Sequence, residues 1–442
     1  PNAANVVQPA CTGCGDCCSG CNVGAKTTVQ MTYIPDAVNH GAAVFTETTV
    51  RSVRRDGIGW RVMYVPTGSR RPGGFAADER SITAGIVVVA AGSLGSTEIL
   101  LRSAEQGLAL SPRLGHRFTG NGDVLAFSYN NDRTVHGVGV GHPIRSGLPA
   151  PGPCITGAID LRGDAHLEHG IIIEEGVLPS GLAPVLPELF RAGAALTGVA
   201  QFAGLVDAME EGKRRLKSTL LGSYAGAIDN TMTFLVMAHD NAGGTMSLES
   251  GRLRIDWPGV AQLPIYAHIE AQLTRASTAG GGTFVRNPLQ STQIIGKTLI
   301  TVHPLGGCPM GIDPAHGVVD HACRVFDASP GAAAGAVHEG LYVCDGSVLP
   351  RPVGVNPLLT ITAISERAMI HLAAARGLAF TDAAKKDAPL RSLSGGGDGT
   401  IARPVGVEFI ERVWSGRADR YSEIRTAETA KLRKVEMSYI GG

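Results

Sequence analysis

The chain has 442 residues, with 39 Lys and Arg balancing 39 Asp and Glu, so its formal net charge is zero. Balanced charge without long runs of one sign excludes a dedicated nucleic-acid or anionic-membrane surface. The length predicts about three domain-sized units, or two large ones with insertions, and the 59 glycines follow no fixed period, which excludes a fibre and leaves a turn-rich α/β protein.

Five of the nine cysteines fall within CTGCGDCCSGCNVGAK, residues 11–26. Cys11, Cys14, Cys17 and Cys21 are spaced C-x2-C-x2-C-x3-C, the bacterial ferredoxin run whose thiolates ligate a [4Fe–4S] cluster, although the Pro that usually follows the fourth Cys is here Asn22. Disulfides, a structural zinc and plain packing are the competing readings of the same residues.

Next, TTVQMTYIPDAVNHG predicts a helix. AVFTETTVRSVRRDGIGWRVMYV predicts two alternating strands turned into a hairpin at Asp56 to Gly59. The unalternated run Ile86 to Ala91 ends at Gly92, and a helical pattern opens among Ser93, Ser96 and Thr97. Such a strand suits a parallel sheet buried on both faces, and a Gly turn feeding a helix N-terminus is where a nucleotide phosphate docks. The G-x-G-x-x-G loop that normally holds a dinucleotide pyrophosphate is missing, since GVGVGH at Gly137 to His142 has neither the spacing nor a Val-rich strand before it.

From about Asn121 the pattern turns to short alternating strands such as TMTFLVMAHD and SGRLRIDW, with a helical stretch at IYAHIEAQLTRAS. This predicts a second, substrate-side α+β domain on an antiparallel sheet. KTLITV predicts a strand that delivers His303 into HPLGGCPMG, and GLYVCDGSVLP predicts another ending at Asp345 and Gly346. In NPLLTITAISERAMIHLAAA, Asn356 reads as an N-cap and Pro357 as the first helical residue. Beyond Ala383 the composition is that of a linker and tail. The predicted organisation is therefore residues 1–120 and 296–383 in a nucleotide-binding domain, 121–295 in the substrate domain, and 384–442 outside both.

No apolar run reaches the ~18 residues of a bilayer span and no signal peptide opens the sequence, which predicts a soluble, cytoplasmic protein with peripheral membrane association left open. The first residue is Pro rather than Met, so a processed or longer chain is expected.

His303, at a strand end before a Gly306-Gly307 turn, is the candidate proton acceptor near neutral pH. The helix beginning at Asn356 directs free N–H groups toward whatever lies before it, a seat for an anion or for a reduced flavin ring. HLEH, His166 to His169, lacks the spacing that places two metal-binding histidines on one helical face, and GSLGS has leucine at its centre, so it is no nucleophile elbow. Cys154, Cys308, Cys323 and Cys344 read as buried thiols, with Cys308 the nearest to any flavin.

HPLGGCPMG and GLYVCDGSVLPRPVGVNPLLTITAISERA resemble the C-terminal signature of the glucose–methanol–choline (GMC) oxidoreductases, most closely the cholesterol oxidase branch, and AAGSLGSTEILLRS resembles the second family signature. The resemblance implies a doubly wound, Rossmann-like FAD-binding domain with a substrate domain, and oxidation of an alcohol by FAD. It implies His303 and Asn356 as the pair that holds the substrate hydroxyl, and Asp345 and Gly346 near the flavin diphosphate and ribityl chain. It also implies Pro357 and Leu358 near the flavin ring, and Ala91, Gly92 and Val50 on the adenine side. The expected substrate is a bulky apolar alcohol such as a sterol. The pyrophosphate-binding segment is expected to precede Pro1 or to come from a second chain, and a further electron acceptor would receive the electrons.

Cholesterol oxidases carry a steroid-isomerising glutamate where LPSGLAPV has Ala183; Glu174 and Glu175 either reach the site from upstream or form a solvated pair. The rival reading is a non-catalytic electron-transfer subunit with an iron–sulfur cluster at Cys11 to Cys21.

Overall fold

A computed structural model describes residues 1–67, 79–144, 147–163, 166–197, 205–287 and 300–379, with the short stretches 391–392 and 436–438. The linker and most of the tail anticipated beyond Ala383 lie outside the described residues.

The segment after the cysteines is helical only over Tyr33–Asn39 (α1), shorter than its apolar pattern suggested. β1 (Thr48–Asp56) and β2 (Gly59–Pro66) form the expected hairpin, extended by β3 (Arg80–Ala84). The Val-rich strand is β4 (Val87–Val89), followed at once by α2 (Gly92–Glu105). One face of α2 carries Ser93, Ser96, Thr97 and Ser103 beside Ile99 and Leu100, all buried, and these small side chains let it lie close to β1, where Val53 N donates to Ser103 Oγ at 2.9 Å.

The middle of the chain builds one antiparallel sheet. In chain order its strands are β5 (Val124–Tyr129), β6 (Ala158–Asp160), β7 (Ile171–Gly176), β8 (Met232–Ala238) and β11 (Thr283–Arg286), arranged in space as β11-β5-β8-β7-β6. Between them lie α3 (Leu186–Thr197), α4 (Leu205–Leu221), the hairpin β9 (Thr245–Glu249) and β10 (Arg252–Asp256), and α5 (Pro264–Ala279). The strand period of two divides the side chains between two cores. Ile171, Ile173 and Val236 pack with Ile269 and Leu273 of α5, while Phe127, Tyr129 and Val285 pack with Leu186 and Phe190 of α3. Glu174, next to Ile173 on β7, therefore faces away from α5.

β12 (Arg324–Phe326) and β13 (Val337–Val343) return the chain to the first sheet, where β13 runs parallel to β4 with Leu341 opposite Val87 and Val343 opposite Val89. Trp60, Leu100, Val319, Leu341 and Val343 form the core behind it. The chain then enters α6 (Leu358–Ala375). By length and composition this helix would suffice to cross a membrane, although Glu366 and Arg367 interrupt its apolar run. Only Ala368 of α6 is buried.

The strand predicted to deliver His303 is not seen: residues 300–302 form no strand, and 297–299 lie outside the described residues. Leu305 instead bridges to Thr119, and the side chains of the 119–123 turn do the positioning.

Candidate functional site

The site is built around the turn Thr119–Asp123, just before β5. Asp240 anchors it: this buried carboxylate accepts from Thr119 Oγ1 at 2.6 Å, Gly120 N at 3.1 Å, Gly122 N at 2.9 Å and Ala242 N at 2.9 Å. Burial pushes the Asp240 carboxyl up and the surrounding hydrogen bonds pull it back down. Gly122 has a positive φ of 64°, and a Cβ there would sit 2.6 Å from the Ala238 carbonyl, so the turn closes against β8 only with glycine.

Two side chains of this turn reach opposite halves of the site. Asp123, 3% exposed, accepts from Thr301 Oγ1 at 3.0 Å, Val302 N at 2.9 Å and His303 N at 3.1 Å. Its oxygens also lie 3.0 and 3.1 Å from His303 Nδ1. With a carboxylate on that side, Nδ1 carries the hydrogen and Nε2 keeps the lone pair. Asn121 Oδ1 accepts from Val353 N at 2.9 Å and Gly354 N at 3.0 Å, and Asn121 Nδ2 donates to Val355 O at 2.9 Å, which fixes the loop leading to Asn356.

Asn356 does not cap α6 as expected. Pro357 takes the cap position with helical φ and ψ and there is no side-chain cap bond, because the Asn356 amide is turned away and Nδ2 donates to Glu174 Oε1 at 2.8 Å. Glu174 is 7% exposed and its Oε2 has no partner. Burial raises its carboxyl above the usual range, against the bond from Asn356 and the pull of His303 when that ring is protonated, which lower it; the charge of Asp123 raises it further. Glu174 thus shares a field with His303 and Asp123 and is not part of a solvated pair. Glu175 turns the other way, to Thr156 Oγ1 at 2.8 Å. Ala183 is a buried core residue.

A second constellation lies where β4 and β13 end. Asp345 Oδ2 accepts from Gly92 N at 3.0 Å and, over a short bond, from Ser96 Oγ, while Oδ1 accepts from Ser347 N at 2.8 Å. Burial raises this carboxyl, offset by the bonds from Ser347, Ser96 and Gly92. Gly346 is wedged so that a Cβ would lie 3.1 to 3.4 Å from Leu305, Ile361 and Ser93, so the first turns of α2 and α6 converge on it. Gly92 has φ 75° with open space in front of it, and Leu358 is 63% exposed at the start of α6. Ala91, Gly92, Asp345, Gly346, Pro357 and Leu358 thus gather at one end of the sheet, whereas Val50 packs against the core from the hairpin. Carboxyl ends of parallel strands with two helix N-termini suit a ligand carrying phosphate or developing negative charge, so these residues fit FAD. Gly137 and Gly139 of GVGVGH are instead packed against Thr231 O and Asp16.

The four cysteines expected to ligate a cluster do not converge. Cys11 Sγ accepts from Gly13 N, Cys21 Sγ from Lys26 N, and Cys17 Sγ from Cys154 N. Among the described residues no group of three or more His, Cys, Asp or Glu side chains is arranged for a metal, HLEH included. Cys308, Cys323 and Cys344 are buried as expected, but Cys154 is only half-buried.

Sequence reasoning missed Asp123 and Asn121 and left Glu174 undecided. The available signal was TGNGD, with glycines at 120 and 122 around an amide and a carboxylate immediately before a strand.

Two models described as GMC oxidoreductase match the chain, one over residues 3–120 and the other over residues 270–365. Among curated proteins the chain is similar to a cholesterol oxidase of Mycobacterium tuberculosis, 28% identical and covering 83% of this chain and 59% of the relative. A cholesterol oxidase of Acinetobacter baumannii is 29% identical, covering 82% and 61%. A long-chain-alcohol oxidase of Arabidopsis thaliana is 25% identical, covering 79% and 44%. The chain therefore spans about three-fifths of the length of the cholesterol oxidases it matches. Among solved structures it is similar to a pyridoxine 4-oxidase from Mesorbium loti, with TM-score 0.40, 19% identity, and 74% and 57% of the two chains covered.

Proposed function

Because the chain belongs to the GMC oxidoreductase family, we propose that it oxidises the hydroxyl of a bulky apolar alcohol, sterol-like or long-chain, with His303 as the base. The observation that carries the proposal is the Asp123–His303 pair, which leaves Nε2 as the proton acceptor within the electrostatic reach of Glu174, the partner of Asn356.

GMC oxidoreductases bind FAD, and bound FAD supplies the hydride acceptor. Gly92, Gly346 and the N-terminus of α6 are the groups that would hold it, with Asp345 fixing Gly92 in place. His303 Nε2 takes the hydroxyl proton. Asp123 keeps the Nδ1 hydrogen in place and stabilises the imidazolium that forms. Glu174 fixes the orientation of the Asn356 amide. The half-buried apolar side chains Leu125 of β5 and Leu235 of β8 on the Glu174 face support an apolar substrate. The exposed strand β4, with Val88 40% exposed, and the largely exposed α6 leave an open surface on the side proposed for the nucleotide.

The test is anaerobic mixing of the FAD-loaded protein with cholesterol and, separately, with a long-chain primary alcohol. Bleaching of the oxidised flavin band by either supports the reading, and the preferred alcohol identifies the class. An FAD-loaded protein whose flavin no alcohol reduces would contradict it.

A further inference from the structure

The cysteine-rich segment takes no part in this chemistry, yet it is docked tightly on loops of the substrate side. Gly13 O accepts from Gly152 N and Cys14 O from Val140 N, each at 2.9 Å. Asp16, 6% exposed, accepts from Gly141 N at 2.9 Å and Ser180 N at 2.7 Å. A Cβ on Gly15 would lie 2.5 Å from Pro151 Cγ and 2.9 Å from Val177 Cγ1. The dock brings together two thiols 137 residues apart in sequence: Cys154 N donates to Cys17 Sγ at 3.4 Å and the Cys154 thiol to Gly15 O at 3.6 Å.

We propose that Cys17 and Cys154 form a dithiol that oxidises reversibly to a disulfide, bolting the cysteine-rich segment to the loop that leads into β6. With hydrogen peroxide as oxidant, the Cys17 thiolate attacks one peroxide oxygen, the O–O bond breaks, and hydroxide leaves and is protonated to water. The resulting sulfenic acid is attacked by the Cys154 sulfur, which loses its proton as the S–S bond forms and a second water departs. Two thiols and one peroxide thus become one disulfide and two waters, and a thiol reductant reverses the step by exchange.

Three features support this pair over the alternatives. Both residues are partly exposed, so an oxidant reaches them. Burial, and next the neighbouring Cys17, push the Cys154 thiol up to about 11. Cys323 and Cys344 also perturb one another, but they are buried at 0% and 8% exposure, which makes them an internal control that peroxide does not reach. The loop continues from Cys154 to Thr156, whose N and Oγ1 both donate to Glu175, so the cross-link would tie the cysteine-rich segment to β7, the strand that carries Glu174 on its other face.

The test uses the purified full chain, treated with hydrogen peroxide, alkylated under denaturing conditions and digested without reductant for mass spectrometry. The expected result is one cross-linked pair joining the Cys17 and Cys154 peptides, abolished by dithiothreitol, with Cys323 and Cys344 still alkylated. Cys154→Ser should lose the pair entirely. Recovery of Cys17 joined to Cys14, Cys18 or Cys21 would overturn the proposal. So would full alkylation of both residues after oxidation, or stoichiometric iron or zinc on these cysteines.

Discussion

The two sheets that meet at the site are finished to different degrees. On the antiparallel side Glu174 is covered and held by Asn356, and the turn at Thr119–Asp123 has its donors and acceptors matched by Asp240, His303 and the 353–355 loop. On the parallel side Val88 of β4 is 40% exposed, and Leu358 and Leu359 of α6 are 63% and 80% exposed. An apolar strand of a parallel sheet is ordinarily covered on both faces. In the proposed reaction this would separate two halves: the groups proposed to handle the proton are closed within this chain, while the side proposed for the flavin offers open surface.

Substitutions on the closed side should have the largest effects. His303→Ala removes the base and should slow alcohol-dependent flavin reduction by about 10²- to 10⁴-fold without releasing FAD, as rapid-mixing absorbance would show. Asp123→Asn keeps the shape but loses the carboxylate at Nδ1, and a fall of about 10- to 10²-fold in kcat with little change in KM is expected. Equal losses in both halves of kcat/KM would mean that Asp123 shapes binding instead.

On the flavin side, Asp345→Asn points an amide at Gly92 N or Ser347 N and should cost about 1–3 kcal/mol in urea unfolding. Unchanged stability would show that the open side tolerates loss of its anchor. Glu174→Gln probes the closed side through pH. Its carboxyl is raised on folding, so the folded state binds the proton more tightly than the unfolded chain. Its contribution to stability is therefore lost as pH rises from the ordinary carboxylate range through the folded value. The Gln variant, which keeps an acceptor for Asn356, should show a flatter decline in urea midpoint over that window. Ile58, 98% exposed at the hairpin tip, belongs to neither side, and Ile58→Ser should stay within about 0.5 kcal/mol of the parent.

What could be read from the sequence follows how local each signal is. The hairpin β1–β2, the Val-rich β4 feeding α2, and the helices α5 and α6 are written in periodicity and turn residues within a few positions. His303 and Asn356 were legible because each sits in a compact signature. Their partners were not: Asp123 lies 180 residues before His303, and Glu174 lies 182 before Asn356. Nothing in one strand's alternation tells which carboxylate will be buried against a distant amide. The same distance hid Cys154 from the C-x2-C pattern, which suggested a cluster from spacing alone. Asn356 shows a local rule losing to a tertiary bond, since a good N-cap residue gave up the cap to bind Glu174.

The most direct test of the central claim, that Asp123 acts through His303, is a double-mutant cycle on the anaerobic rate of flavin reduction. If the pair works as a unit, Asp123→Asn in the His303→Ala background should cause no further loss beyond His303→Ala alone. Fully additive losses would contradict the account, because Asp123 would then serve the reaction by some route other than holding His303.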